Sequence, residues 1–232
     1  MNKFFNLSLV ALICATLFTS CENNGNQNNN DSKEGNISQN VLVANLPQNF
    51  KATTKYTLTS VMNTRTEANS TLTKFGADWI LDYDFFSTDV SGVETRQSRV
   101  YYLRFDENGK ILKQFESADE GKNWAVMDKY LDFSHFAESG SNTARRLLDK
   151  SLKTSYGCQI DMWTATGEKR TVCNRTCTEY EYKTAKSVYL VDDATHLVFH
   201  EDFNDPDTET VSEFAVLSWN ENISSVGYNL PK

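Results

Sequence analysis

Cysteine is the residue type in this chain with the most evident chemistry. Three of the five cysteines, Cys158, Cys173 and Cys177, lie within a span of 20 residues, and they can pair if the chain folds in an oxidising compartment. A hairpin that turns at Thr166–Lys169 would place Cys158 opposite Cys177, so we predict a Cys158–Cys177 disulfide. A Cys158–Cys173 bridge, which requires a shifted register or a bulge, is the main alternative.

The histidines and acidic residues match no familiar catalytic or metal-binding motif. His196 and His200 stand four residues apart in a segment with the composition of a strand, which would hold them about 13 Å apart. The acidic segment Asp202–Glu209 lacks the glycine and the spacing of a calcium loop. The chain also lacks a phosphate-binding glycine loop, a nucleophile elbow and a zinc-binding helix motif. We therefore expect no metal site, no cofactor and no enzymatic activity.

The first 20 residues have the organisation of a secretory signal. Lys3 precedes an apolar run from Phe4 to Phe18, and Ser20 leads directly into Cys21. The segment resembles a bacterial lipoprotein signal with its lipobox. That resemblance implies that residues 1–20 are removed and that Cys21 carries acyl chains such as palmitate. The alternatives are an ordinary cleaved signal with an unmodified Cys21 and, less favoured because the run is short of about 20 residues, a membrane-spanning helix.

The segment after Cys21 has the composition of a flexible tether. Eight of the nineteen residues from 22 to 40 are asparagine, so residues 21–40 cannot bury enough apolar surface to offset the entropy of ordering. Residues 41–232 then form a single domain. Glu22 follows the cysteine, and by resemblance to other lipoproteins this favours the outer membrane of a Gram-negative envelope.

The charge of the chain restricts its partners. The formal net charge is −8, and removal of residues 1–20 takes away Lys3 and no acid, which leaves −9. A chain this acidic is not expected to bind nucleic acid, because it has no excess of basic residues to displace counterions from phosphate. The expected partners are the membrane, through the lipid on Cys21, and a hydrophobic small molecule. The sequence does not indicate a protein partner.

Segments rich in Val, Thr, Tyr, Phe and Trp recur along residues 41–232 and are separated by Asn, Asp and Gly, which predicts an antiparallel sheet. Asn108-Gly109 is the clearest hairpin turn. Helices are predicted at about 144–153, capped by Asn142 or Thr143, and at about 128–138. The strands are expected near 55–63, 71–84, 97–106, 110–117, 122–127, 157–165, 170–182, 186–192, 196–203 and 211–219.

The fold class predicted is therefore mainly β (α+β). We expect a strongly curved antiparallel sheet or half-open barrel, with one or two inserted helices covering its concave face. This order of elements resembles the lipoprotein-carrier (LolA/LolB-like) superfamily, in which an unclosed antiparallel barrel holds a helical lid over a hydrophobic cavity. The resemblance is carried by Thr73–Asp82, Tyr101–Phe105 with Asn108–Lys110, Ser187–Val198 and Gly227–Pro231.

If the sheet forms such a cup, alternate residues of two strands should line it. The candidate lining residues are Trp79, Leu81, Tyr83, Tyr101, Leu103 and Phe105, which would otherwise be packed core. The leading hypothesis is a non-enzymatic, lipid-anchored envelope protein that binds a lipid or acyl chain, or helps to handle lipidated cargo. The alternative is a tethered sheet domain that presents an aromatic surface to a protein or glycan. Exposed Trp124 and Trp163 would favour this alternative.

Overall fold

The computed structural model describes residues 46–60, 64–139, 147, 163–182, 187–207 and 209–232. All of them belong to the unit formed by residues 35–232. The predicted signal, Cys21 and the Asn-rich tether lie outside the described residues and stay predictions. No described helix is long and apolar enough to cross a membrane.

The described chain is dominated by eleven strands. Their composition explains this, because β-branched and aromatic residues alternate with polar ones at a period of two. The strands are β1 (Asn49–Thr59), β2 (Arg65–Phe75), β3 (Asp78–Thr88), β4 (Glu94–Phe105), β5 (Ile111–Ser117), β6 (Ala125–Val126), β7 (Trp163–Val172), β8 (Arg175–Tyr182), β9 (Val188–Asp192), β10 (Val198–Asp205) and β11 (Thr210–Asn220).

All eleven strands form one antiparallel sheet that is not closed. Its order is β6-β5-β4-β3-β2-β1-β11-β10-β9-β8-β7, so two meanders, β1 to β6 and β7 to β11, join where β1 pairs with β11. In that junction Tyr56 lies opposite Phe214. The mainly β, antiparallel architecture that the sequence predicted is confirmed.

The sheet has two faces with different cores. The inner face carries most of the buried apolar side chains, including Phe50, Leu72, Trp79, Leu103 and Phe214. The outer face carries a smaller cluster built on Ile80, Val100 and Tyr102. Alternate residues of one strand enter opposite cores because successive side chains point to opposite sides of a sheet.

One short helix, α1 (Phe133–Ser139), packs on the inner face. Asp132 caps it, since its carboxylate accepts a hydrogen bond from the His135 amide at 2.8 Å. The sequence placed this helix at about 128–138, so its start was predicted one turn too early. Of the second predicted helix, 144–153, the structure describes Leu147, which is helical and fully buried. Cover of the whole inner face by helices therefore stays a prediction.

The chain after β11 returns to the outer face. Tyr228 donates a hydrogen bond from its hydroxyl to Asp82 Oδ2 at 2.6 Å, and Trp124 donates from Nε1 to the Asn229 carbonyl at 3.0 Å. The segment from 226 to 230 thus covers Ile80. We call residues 221–232 the C-terminal strap.

Two parts of the predicted strand pattern differ from the structure. The single strand predicted at 71–84 is two strands, β2 and β3, that turn at Gly76 with φ +58°. The turn predicted at Thr166–Lys169 is wrong, because these residues lie inside β7 at an irregularity in the β7–β8 pairing. The hairpin instead turns at Cys173 and Asn174, both with positive φ.

Candidate hydrophobic ligand site

The six predicted lining residues do share the inner face, on two adjacent strands. Trp79 of β3 lies opposite Leu103 of β4, and Leu81 lies opposite Tyr101. This grouping could be predicted from the sequence because residues two apart in a strand point to the same side of the sheet. The hairpin that joins β3 to β4 makes the two strands pair, and this pairing brings the inner-face residues of β3 next to those of β4.

At one end of this face the aromatic side chains form packed core. Phe133 of α1 lies 5.2 Å from the rings of both Trp79 and Phe105, measured between centroids. Phe136 makes a third contact, at 5.9 Å from Phe105. Trp79 is 2% exposed and Phe105 5%. These rings meet edge to face or tilted, the arrangements that aromatic pairs prefer, so this end is filled by the protein itself.

Further along β3, beyond the part that α1 covers, the inner-face side chains are less buried. Tyr83 and Phe85 are only half-buried, and they stack on each other with centroids 6.0 Å apart. Their cross-strand neighbours on β4 are polar, with Arg99 opposite Tyr83 and the exposed Gln97 opposite Phe85. The β3 face therefore passes from packed aromatic core to a partly open aromatic surface within four residues.

Three tyrosines and a lysine surround the boundary between these two zones. Tyr130 lies just before α1, and its ring meets that of Tyr101 edge to face at 6.4 Å. The Lys129 ammonium lies 4.4 Å from the centroid of Tyr101 and 5.2 Å from that of Tyr130, distances at which cation–π attraction operates. We call Tyr83, Tyr101 and Tyr130 the tyrosine cluster.

The tyrosine cluster is neutral at physiological pH. Burial, and then the neighbouring Tyr101 hydroxyl, raise the pKa of Tyr83 and that of Tyr130 well above the usual value. Burial and the carboxylate of Glu116 raise the pKa of Tyr101, against the opposing effect of Arg99. Burial also lowers the pKa of Lys129. The cluster can therefore donate hydrogen bonds from its hydroxyls.

One of these hydroxyls has no hydrogen-bond partner in the described part of the chain. The Tyr130 hydroxyl is buried and has no hydrogen bond among the described residues, although the residue is only 2% exposed. A buried hydroxyl without a partner costs about 1–3 kcal/mol. An acceptor atom of a bound ligand would remove this cost.

Several residues of this site were not predicted from the sequence. Phe85 continues the row of Leu81 and Tyr83, and the period of two would have included it had the strand been extended beyond residue 84. Tyr130 falls within the helix that the sequence predicted at about 128–138. Lys129 carried no signal, because its role depends on how the segment before α1 lies over Tyr101.

The cysteine hairpin differs from the prediction. With the turn at Cys173 and Asn174, Cys177 lies opposite Arg170, so the register from which we paired Cys158 with Cys177 is wrong. Neither Cys173 nor Cys177 forms a disulfide in the described ranges, and Cys158 lies outside them, so the bridge itself stays a prediction. Cys177 is fully buried, and burial raises the pKa of its thiol to about 11.

The exposure of Trp124 was expected to distinguish a hydrophobic cavity from an aromatic surface that binds a protein or glycan. Its side chain is half-buried on the outer face. It packs edge to face against Tyr102 and Tyr228 at 6.2 and 6.4 Å between centroids. It is therefore part of a small core beneath the C-terminal strap. The side chain of Trp163 lies outside the described set.

No protein-family model matches the chain, and no curated protein matches it. Among solved structures, it is similar to the MucA/MucB complex of Pseudomonas aeruginosa at 12% identity and a TM-score of 0.35, over 81% of this chain and 57% of that one. The chain thus spans less than two thirds of the MucB chains it matches.

Two further solved structures are similar over most of their own length. LprF from Mycobacterium bovis is 7% identical with a TM-score of 0.37, over 81% of this chain and 92% of LprF. A LolA superfamily protein from Nitrosomonas europaea is 8% identical with a TM-score of 0.26, over 78% and 90%. Scores this low assign no family to the chain, so its function has to be argued from its own residues.

Proposed function

We propose that this chain is a lipid-anchored, non-enzymatic protein of the cell envelope whose domain binds a hydrophobic ligand, a lipid or an acyl chain. The binding surface is the inner face at Tyr83 and Phe85, and the outer membrane is the expected location. The observation that carries the proposal is the change along β3 from Trp79, covered by α1, to Phe85, which is half-buried. In this proposal the sheet is a half-open barrel and its helices form the cover.

The apolar part of such a ligand would gain from the half-exposed rings. Burial of about 200 Å² of apolar surface between an acyl chain and Tyr83 and Phe85 contributes about 5 kcal/mol. An acyl chain needs no directional partner, so an aromatic surface recognises it by shape and area. Leu81, fully buried beside Tyr83 in the same row, closes the inner end of the surface.

The polar part of the ligand would lie at the tyrosine cluster. The Tyr130 hydroxyl is a donor without an acceptor among the residues that the structure describes, and Lys129 and Arg99 add two positive charges near Tyr101. Glu116, opposite Tyr101 in the sheet, partly offsets these charges. The arrangement favours a ligand with a small anionic head, such as a fatty carboxylate or a phospholipid.

The test is to look for lipid that stays with the protein during purification. The full chain with Cys21→Ser would be expressed, because its own acyl chains would otherwise contaminate the result. Native mass spectrometry and organic extraction should detect lipid in stoichiometric amount. A protein that is free of lipid and that also ignores added fatty acid and phospholipid would overturn the proposal.

A matched pair of variants locates the site. Phe85→Ser removes a ring from the inner face, while Phe86→Ser removes the adjacent ring, also half-buried, from the outer face, where it stacks against Arg96. Fatty-acid affinity, measured by displacement of a fluorescent analogue, should fall about tenfold in Phe85→Ser because about 1.4 kcal/mol of apolar contact is lost. It should stay within about twofold in Phe86→Ser.

The alternative function, an aromatic surface that binds a protein or glycan, depends on tryptophans that face solvent. Trp124 does not favour it, since the C-terminal strap covers part of this ring.

A further inference from the structure

Three side chains that can bind a metal ion meet on the outer face where β10 pairs with β11. His200 and Asp202 stand two residues apart in β10, so they point to the same side of the sheet. Glu213 of β11 lies directly opposite Asp202 in the register. One potential ligand atom from each of the three lies within 4.8 Å of the others.

These side chains face away from the proposed lipid site. Glu201, between His200 and Asp202, is buried and lies opposite the buried Phe214 of the inner face. Alternation along both strands then puts the three ligands on the outer face. A role for this cluster is therefore independent of the hydrophobic ligand.

We propose that His200, Asp202 and Glu213 bind a divalent transition-metal ion of the Zn²⁺ class. Zn²⁺ takes imidazole nitrogen and carboxylate oxygen as ligands, and with three protein ligands water completes the fourth position. Two ligand atoms at bond lengths of about 2.1 Å on a tetrahedral ion lie about 3.4 Å apart. His200 Nε2 and Asp202 Oδ2 are already 3.1 Å apart, and a rotamer change would bring Glu213 in.

The local charges favour a cation here. Asp202 and Glu213 are like charges in directly opposed positions of an antiparallel pair, an arrangement that is unfavourable without a counter-ion. Among the residues that the structure describes, Glu213 has no ion pair, and Asp202 pairs only with His200. The nearest lysine in the same register is Lys55, opposite Ala215, two strands from His200 and thus about 10 Å away.

The side chains of the site are accessible to an ion, and the backbone that carries them is fixed. The His200 side chain is 25% exposed and that of Asp202 60%, so an ion and its waters can enter while the imidazole is mostly held by its surroundings. Because both strands belong to a continuous sheet, the backbone needs no ordering on binding and only side chains such as Glu213 have to move, which favours affinity.

The test is a calorimetric titration of the full chain with Zn²⁺, in buffer that keeps thiols reduced with a phosphine. The wild type should bind one equivalent of Zn²⁺ in a saturable manner. His200→Ala and Glu213→Gln should each weaken binding at least tenfold. The matched control is His196→Asn, because His196 lies in a turn with φ +58°, a conformation that asparagine tolerates. Its affinity should stay within twofold of wild type.

Three results would overturn the inference. The first is no saturable Zn²⁺ binding by the wild type. The second is unchanged affinity in both His200→Ala and Glu213→Gln, with circular dichroism confirming that these surface variants are folded. The third is binding that survives those changes and is lost in Cys173→Ser or Cys177→Ser, which would assign the ion to the thiols.

Discussion

Within the described ranges, the Tyr130 hydroxyl is the clearest unpaired polar atom of the aromatic inner face. Its ring is held by Tyr101 on one side and by Phe136 on the other, at 6.4 and 5.3 Å between centroids. The hydroxyl is thereby fixed inside the protein without an acceptor among the described residues. A phenylalanine would fill the same space without the polar atom, so the choice of tyrosine is explained if the oxygen meets a ligand.

Tyr130→Phe separates stability from binding. In the lipid-free protein we expect the free energy of unfolding to rise by about 1 kcal/mol, because a buried unpaired hydroxyl is removed. The affinity for fatty acid should fall at least threefold, because the hydrogen bond to the ligand is lost. Urea denaturation and analogue displacement measure the two quantities. A variant that is less stable and binds with unchanged affinity would show that the hydroxyl has a structural partner and no contact with the ligand.

A second residue with a decisive local role is Asp192, at the end of β9. Its carboxylate accepts two hydrogen bonds from Arg175, at 3.0 and 2.8 Å, and another from the Thr195 hydroxyl at 2.6 Å. Arg175 also donates to Glu221 at 2.7 Å. The group thus ties the β7–β8 turn to the turn after β9 and to the end of β11.

We expect Asp192→Asn to lower the free energy of unfolding by about 2–3 kcal/mol, since it leaves Arg175 partly buried without its main partner. Burial disfavours ionisation of Asp192, but the hydrogen bonds from Arg175 and Thr195 outweigh it and lower its pKa. A lowered pKa in the folded state stabilises the protein above about pH 4 and ceases to do so as the pH falls through that pKa. The wild-type advantage should therefore be constant from pH 5 to 8 and shrink below about pH 4.

The control for this prediction is Asp193→Asn. Asp193 is the next residue and pairs with Lys169 at 2.6 Å on the exposed side of the turn, so its loss should cost less than about 1 kcal/mol. Equal effects of the two substitutions, or an Asp192→Asn deficit that persists unchanged at pH 3, would contradict the assignment of the stability to the buried carboxylate.

At the scale of the elements, the side-chain alternation along each strand was predictable from the sequence, because it depends only on a period of two. The shared face of Trp79, Leu81 and Tyr83 followed from alternation alone. The β2–β3 turn was missed because Thr71–Asp84 reads as one continuous β-prone run, in which Gly76 is the only break. A turn of two residues at Gly76-Ala77 leaves little signal in composition.

The β7–β8 hairpin shows a second limit. Thr166-Gly167 has the composition of a turn, yet it lies within β7, where Gly167 has φ +85° and the pairing is irregular. The turn falls instead on Cys173 and Asn174, with φ +49° and +60°. Cysteine rarely takes a left-handed conformation, so composition favours the wrong place, and the tertiary register decides. The same dependence on register hid the pairing of Asp202 with Glu213.

The C-terminal strap provides an element-scale test through Gly121. A Cβ atom at Gly121 would lie 2.5 Å from Tyr228 Cδ1, and the residue has φ +79°. Gly121→Ala should therefore displace the Tyr228 ring from the outer face in addition to the strain of the backbone conformation. We expect the free energy of unfolding to fall by about 2–3 kcal/mol, as measured by urea denaturation.

Gly92→Ala is the matched control for the strap. Gly92 has φ +80°, and nothing lies within 4 Å of a Cβ placed there, so this substitution carries the backbone strain alone, about 1 kcal/mol. The excess destabilisation of Gly121→Ala over Gly92→Ala reports the contact with Tyr228. Equal losses in the two variants would show that the strap does not stabilise the sheet through this ring.

At the scale of the whole molecule, the first and last strands of the chain hold the sheet together. The pairing of β1 with β11 joins residues 51–59 to 211–220, so the two meanders become one sheet only when most of the chain is in place. Contacts between residues so distant in sequence are expected to form slowly. The open edges at β6 and β7 lie at opposite ends of the strand order. An inner face of this width can bury a core near α1 and still leave Tyr83 and Phe85 partly open.

The resemblance of residues 1–21 to a lipoprotein signal implies that the domain is attached to the membrane through acyl chains on Cys21. Wild-type protein should sediment with membranes and be released by detergent, while Cys21→Ser should appear in the soluble fraction, because stable anchoring requires more than one acyl chain and this variant carries none. Cys14→Ser changes a cysteine within the same signal and should remain with the membrane. If Cys21→Ser sediments like wild type and stays there in high salt, the acyl chains on Cys21 are not the anchor. Release of Cys21→Ser together with retention of Cys14→Ser would place the tyrosine cluster on a domain tethered to the bilayer, within reach of the amphiphiles that we propose it binds.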